Sequence, residues 1–171
     1  QLRRQRQLDQ ARKFALTFLM RTDLLSREQA AALLLIKADI YRDQQNYEAA
    51  KIEYEGLRRD ERYTETDAGE RALSRIVELM IATGNYDGAE AILERWRDHS
   101  RLAKRAQAHY FTGRIAFERK EYEEARQSLQ KVFDIFPDHT EGRLLEGELK
   151  ALTGKGVGEP EIPIGRKGER E

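Results

Sequence analysis

The chemically reactive side chains of this sequence do not occur in the spacings that metal binding requires. Its three histidines, His99, His109 and His139, are isolated, and none has a second histidine four residues away. The chain has no cysteine, so thiolate metal sites and disulfides are excluded. Isolated histidines are usually surface or packing residues. We therefore expect no bound metal and no cofactor.

The serine, glycine and carboxylate patterns also differ from those of catalytic sites. The serines, among them Ser26 and Ser128, lack the strand-turn-helix context of a nucleophile elbow. The glycines at 154, 156 and 158 follow a predicted helix, whereas a dinucleotide-binding loop follows a strand. Adjacent carboxylates such as Glu123 and Glu124 belong to a charged outer helix face. The sequence thus predicts a protein that is not an enzyme.

The charge composition argues against nucleic acid or a membrane as the partner. In 171 residues, 31 basic and 31 acidic side chains cancel and are interspersed, so no overall field attracts a polyanion. A basic cluster over residues 3–13 is interrupted by Asp9, which is typical of a solvated helix face. No apolar run approaches the roughly 18 residues that would span a bilayer. We expect a soluble chain, cytoplasmic or periplasmic.

The elements that would position any functional side chains are repeated along the chain. Charged residues make up 36% and apolar residues 39%, which favours an extended helical array over a compact α/β enzyme. Residues 106–137 read as two amphipathic helices that are joined by a tight turn and end at Pro137. The apolar pattern of the second helix occurs four times: Tyr122, Ala125, Leu129, Val132; Tyr86, Ala89, Leu93, Trp96; Tyr47, Ala50, Tyr54, Leu57; and, more weakly, Leu8, Ala11, Ala15, Phe18.

The spacing inside each repeat is constant. Twelve residues separate the small residue of each first helix from that of its second helix, in the pairs Ala38 and Ala50, Val77 and Ala89, and Gly113 and Ala125. Two helix backbones approach closely only where no large side chain intervenes, so these pairs are predicted to mark helix crossings. The varying length falls between repeats, where surface linkers tolerate it.

These patterns predict eight helices and a tail. We expect a lone helix over residues 2–22, three hairpins at about 27–59, 67–98 and 101–136, and a capping helix over 139–153. Three helix starts carry capping signals: Ser26 with Gln29, Asp67 with Glu70, and Asp138 with Glu141. Turns are predicted at 44–46, 83–85 and 119–121. Residues 154–171 are rich in Gly, Pro and charge, which predicts an extended or disordered tail.

The repeated residues resemble the tetratricopeptide repeat family, whose pattern is Trp-x2-Leu-Gly-x2-Tyr, then Ala-x3-Phe, then Pro. The matching residues are Ala38, Tyr41, Ala50, Tyr54, Gly113, Ala125, Leu129 and Pro137, while the middle repeat diverges at Val77 and Met80. The resemblance covers Leu8 to about Leu152. It implies an all-α superhelix, or solenoid, of about three helical hairpins with an extra helix at each end. First helices would line a concave groove.

Departures from the family narrow the expected partner. Some members clamp the C-terminal carboxylates of chaperones with Lys, Asn and Arg side chains, and the matching places here hold Leu35, Asp39, Arg75, Gln107 and Phe111. Chaperone-tail binding is therefore not expected. The related pentatricopeptide repeats read RNA with small polar residues, but Leu35 and Tyr110 occupy that place, and only Ser74 fits.

The remaining candidate site is the groove itself. By helical phase, the groove-facing side chains are a mixture of arginines, acids, aromatics and leucines: Leu35, Asp39, Arg42, Arg71, Ser74, Arg75, Glu78, Tyr110, Arg114, Phe117, Leu144 and Glu148. Aromatic and arginine side chains dominate interface hot spots, although such residues also pack or form ion pairs within a helix. The sequence thus predicts a scaffold or adaptor that binds a protein or peptide ligand with acidic and apolar residues.

The main alternative is a structural spacer within a longer repeat protein that self-associates through its ends. The chain opens on Gln rather than Met, so we expect an excerpt or a processed form. The leucines at 144, 145, 149 and 152 cover more than one side of the last helix, which predicts an apolar flank for another repeat, another copy, or the tail segment 162–164. A nucleic-acid binder or an enzyme fragment is the least favoured reading.

Overall fold

The computed structural model describes Gln10, Lys13, Thr17 and residues 25–158. Over these residues the secondary structure is helical, with no strand, which confirms the predicted all-α class. The predicted lone helix over 2–22 lies outside the described residues except at those three positions, each of which is helical. The predicted tail lies outside them beyond residue 158.

Seven helices occupy residues 25–158: α1 Arg27–Asp43, α2 Tyr47–Arg59, α3 Asp67–Ala82, α4 Tyr86–Arg97, α5 Leu102–Glu118, α6 Tyr122–Ile135 and α7 Thr140–Thr153. The predicted tight turns follow α1, α3 and α5. Asn46 and Asn85 cap α2 and α4, because each side-chain oxygen accepts a hydrogen bond from the backbone N–H three residues later. A left-handed residue supplies each reversal, at Gln45, Gly84 and Lys120.

The start of α1 is the predicted capping box. The Ser26 hydroxyl accepts a hydrogen bond from the Gln29 N–H at 3.2 Å, and the Gln29 side chain accepts one from the Ser26 N–H at 2.9 Å. The cap of α3 was predicted wrongly. It is Thr66, whose hydroxyl accepts from the Gly69 N–H at 3.1 Å and donates to the Tyr63 carbonyl at 2.6 Å. Thr66 is buried. Because Thr66 is the cap, α3 begins at Asp67, one residue earlier than a cap at Asp67 would have allowed.

The cap of α7 was also predicted one residue away. His139, not Asp138, accepts the hydrogen bond from the Gly142 N–H, at 3.0 Å through Nδ1. The turn through Pro137 closes with the His139 N–H donating to the Phe136 carbonyl at 3.1 Å. That closure leaves Asp138 on the exposed outside of the turn and His139 at the helix entrance.

The chain forms two compact units, Gln1–Ala89 and Glu90–Glu171. In the first unit, α1 packs against both α2 and α3, and α2 packs against α3. Ala38 and Ala50, the small pair that the repeat spacing predicts at the crossing of α1 and α2, are completely buried, and so are Val77 and Ala89 of the next predicted pair. A crossing built on small side chains lets the larger neighbours Tyr54 and Leu57 fill the space beside it, and both are buried.

In the second unit, α5 packs against α6, and α7 contacts both. A methyl group added at Gly113 would lie 3.2 Å from the Ser128 Cβ and 3.3 Å from the Ala125 carbonyl oxygen. The predicted close approach of Gly113 to Ala125 is therefore confirmed. Leu145 and Leu149 complete this core from α7.

Residues 155–158, at the start of the predicted tail, fold back onto the second unit. Gly154 ends α7 in the left-handed conformation, with φ of 73°. Val157 packs against the core of the unit, and its N–H donates to Glu146 at 3.2 Å.

Candidate functional site

Four of the predicted groove residues meet where α1 lies beside α3 in the first unit. Asp39 forms ion pairs with Arg42 at 3.4 Å and with Arg75 at 3.3 Å. Glu78 is bound by Arg42 at 3.2 Å and by Arg75 at 2.8 Å. Each arginine thus bridges both carboxylates, and the side chains remain 25–35% exposed. We call these four residues the charged cluster.

The buried side chain of Tyr54 contacts the charged cluster through a hydrogen bond. The Tyr54 side chain is fully buried in the crossing of α1 and α2, and its hydroxyl donates to the Asp39 carboxylate at 2.5 Å. Burial raises the pKa of Tyr54 well above its ordinary value, and the hydrogen bond to Asp39 raises it further. The phenol therefore remains a donor at all ordinary pH values, which fixes the orientation of Asp39.

The arginines of the charged cluster are already neutralised inside the protein. Partial burial lowers the pKa of Arg42, but Asp39, Tyr54 and Asp43 together outweigh it, so the pKa lies above its ordinary value. Burial also lowers the pKa of Arg75, and Glu78, Asp39 and Tyr54 together outweigh it and raise that pKa. An incoming acidic ligand would have to displace these partners. The charged cluster is therefore a stiff platform rather than a set of open cation sites.

Two further predicted groove residues of the first unit lie apart from the charged cluster. Arg71 is exposed on α3, and no described carboxylate lies within ion-pair distance of it. Leu35 was predicted to face the groove, but it is buried, with 4% of its surface exposed. The reason is that α1 is covered by both α2 and α3, so its buried stripe is wider than that of a helix with one neighbour.

In the second unit, α5 presents aromatic rings beside an arginine. Tyr110 and Phe117 are partly buried against the core, and the Arg114 guanidinium lies over the Phe117 ring at 5.4 Å. The Tyr110 ring also stacks at 5.5 Å on His139, the cap of α7. The aromatic side chains are therefore held in place, which lowers the entropy that a ligand would lose on binding them.

Helix α7 completes this face with an ion pair and an exposed leucine. Arg114 contacts Glu148 of α7 at 3.2 Å and Glu118 of its own helix at 2.9 Å. One turn before Glu148 stands Leu144, which is 66% exposed. We call Tyr110, Arg114, Phe117, Leu144 and Glu148 the α5–α7 face.

The structure thus gathers most of the predicted residues into two groups, one in each unit, and leaves Leu35 and Arg71 outside them. Tyr54 was missed, although a signal existed. The repeat pattern has phenylalanine at that position, and a hydroxyl added to a buried ring needs a hydrogen-bond partner. His139 was missed as a neighbour of Tyr110 because the turn at Pro137 determines where it lies.

Both groups present ion pairs, and the α5–α7 face also presents ring contacts. No group of three or more His, Asp or Glu residues that could hold a metal ion occurs in the described part of the chain. Among the same residues, no helix is both long and apolar enough to cross a membrane.

Comparison with known proteins agrees with the hairpin architecture. Two family models match the chain, both described as tetratricopeptide repeat, one over residues 77–140 and the other over residues 31–56. No curated protein and no solved structure gives a significant match. The first match spans the end of α3 through α6, and the second spans most of α1 and α2.

Proposed function

The chain belongs to the tetratricopeptide repeat family, and we propose from this that it is an adaptor module that binds a protein partner through its α5–α7 face. Repeats of this family generally mediate protein–protein interaction, and their all-α fold is typically a scaffold without catalysis. What we propose is which surface of this chain contacts the partner and which kinds of side chain the partner presents to it.

The observation that supports the α5–α7 face is the exposed side chain of Leu144, one turn before Glu148, which pairs with Arg114 of α5. Burying this side chain would contribute about 1.5–3 kcal/mol to an interface, because it is now mostly in water. Tyr110 and Phe117 lie in the second unit with restricted freedom, and tyrosine and arginine are enriched at hot spots. An apolar side chain of the partner would contact Leu144.

The partner is expected to carry acidic residues near that apolar side chain. Arg114 is one-third exposed and already pairs with Glu118 and Glu148, so a carboxylate of the partner would replace one of these two partly exposed acids. An extended peptide or an amphipathic helix can present an apolar side chain next to an acidic one.

A quantitative capture experiment tests this proposal. The chain is immobilised, and bound protein is measured for the native sequence, for Leu144→Asp and for Ile52→Asp. Ile52 on α2 is a matched control, since it is 68% exposed against 66% for Leu144. We expect the Leu144 variant to weaken binding at least about tenfold, and the Ile52 variant to bind normally. Equal loss in both variants would contradict the proposal.

Self-association is the second candidate, because α7 has a second exposed leucine in the same row. Leu152, eight residues after Leu144, is 64% exposed, so α7 carries an exposed leucine near each of its ends. Light scattering over a range of concentrations distinguishes the two functions. A mass that grows with concentration for the native chain but not for Leu152→Asp would favour self-association. A constant monomer mass would indicate that the α5–α7 face binds a different protein.

A further inference from the structure

Three cations of the second unit, Arg97, Arg105 and Lys131, act electrostatically on His109. Burial lowers the pKa of His109, and the positive charges of Lys131, Arg97 and Arg105 lower it further. No described carboxylate lies within ion-pair distance of any of these three cations. Most arginines of the described chain do have such partners. The nearest acid along α6, Asp134, instead accepts a hydrogen bond from Gln130.

The register of α5 and α6 explains why these side chains converge. The two helices are antiparallel, and Gly113 of α5 lies against Ser128 of α6. One turn back along α5 from Gly113 is His109, and one turn forward along α6 from Ser128 is Lys131. Arg105 stands one further turn back on α5. The register of the backbone therefore brings His109, Arg105 and Lys131 to the same part of the α5–α6 pair, and Arg97 is linked to them through its charge.

Two buried polar atoms on the same side of α5 lack a hydrogen-bond partner. They are Arg105 Nε and Thr112 Oγ1, four residues before and three residues after His109. Buried donors in folded proteins are nearly always satisfied, and an unsatisfied one requires an explanation such as an ion. An anion with several acceptor oxygens would accept a hydrogen bond from the Arg105 Nε donor and offset the positive charges.

We propose that Arg97, Arg105, His109 and Lys131 form a binding site for a phosphate-type dianion, either inorganic phosphate or a phosphate monoester. Three fixed positive charges balance a dianion better than the single charge of a carboxylate. Arginine forks also match the geometry of phosphate oxygens. The site lies on a different side of α5 from the rings of the α5–α7 face, so it does not depend on the function proposed above.

The test measures thermal unfolding of the whole chain in sodium phosphate, in sodium acetate and in sodium chloride at equal ionic strength. The variants are Lys131→Gln, whose exposed position preserves the fold, and Arg71→Gln, a matched control in the first unit that also has no carboxylate partner. In chloride, Lys131→Gln should melt at the same temperature as the native chain or about 1–2 °C higher, since it relieves repulsion. A residue with a merely structural role would lower the melting temperature.

In phosphate, the native chain and Arg71→Gln should both gain stability, and Lys131→Gln should lose that gain. The NMR titration of His109 adds an independent measurement, because a bound dianion should raise its pKa by at least about one unit. Phosphoserine in a parallel titration shows whether the site takes a monoester as well as the free ion. An equal response to acetate, a His109 pKa that phosphate does not move, or the same loss in Arg71→Gln would overturn the proposal.

Discussion

Replacing Tyr54 by phenylalanine tests the link between the buried core and the charged cluster. The substitution removes one hydroxyl from a fully buried ring and leaves the packing unchanged. That hydroxyl donates to a carboxylate, and hydrogen bonds to charged groups contribute roughly 1.5–3 kcal/mol. Asp39 keeps its two arginine partners, so we expect the lower end, a loss of about 1.5–2 kcal/mol in the free energy of unfolding.

Urea unfolding measures this loss, and Tyr122→Phe is the matched control. Tyr122 occupies the aromatic place at the start of α6, and its hydroxyl has no partner among the described residues, so its loss should change stability by less than about 0.5 kcal/mol. A double-mutant cycle with Asp39→Asn should give a coupling energy of at least about 1 kcal/mol. If Tyr54→Phe costs no more than the control, or if the cycle is additive, the hydroxyl does not orient Asp39.

Three further predictions concern packing, charge and pH. Gly113→Leu should destabilise the chain by about 1–3 kcal/mol in urea unfolding, because α6 leaves no room for the side chain, whereas exposed Glu124→Gln should stay within about 0.5 kcal/mol. Arg75→Glu places a third carboxylate beside two others and should cost about 1–3 kcal/mol, moderated by the remaining 27% exposure, while Arg71→Glu should cost little by the same assay. Because the pKa of His109 is lowered in the folded chain, the unfolded chain binds a proton more readily, and stability should fall as the pH drops below about 6.5. In thermal melts across that pH range, His109→Gln should flatten this dependence.

The repeat spacing predicted where helices cross because a close approach of two helix backbones requires a small residue, and such a residue can be recognised in the sequence. A small residue at Gly113 is required by the distance to Ala125, and any larger side chain would separate the helices. The turns were predictable for a similar reason, since Asn46 and Asn85 satisfy the backbone N–H groups of the helices that follow. The sequence carries such features locally.

Features that depend on several elements at once were predicted less well. Leu35 has the helical phase of a groove residue, but the number of neighbours that cover α1 is a tertiary property. The caps Thr66 and His139 were missed because each is selected by the turn before it, through the Tyr63 carbonyl in one case and the turn at Pro137 in the other. The pairing of both arginines with both carboxylates also required the alignment of α1 with α3.

The most direct test of the proposed binding face is hydrogen–deuterium exchange of the chain with and without its captured protein partner. We expect binding to slow exchange in α5 around residues 110–117 and in α7 around residues 144–152, with α2 unchanged near Ile52. Leu144→Asp should remove this protection while the exchange of the free chain stays the same. Protection confined to α2 or to the outer side of α6, with α5 and α7 unaffected, would contradict the assignment of the α5–α7 face.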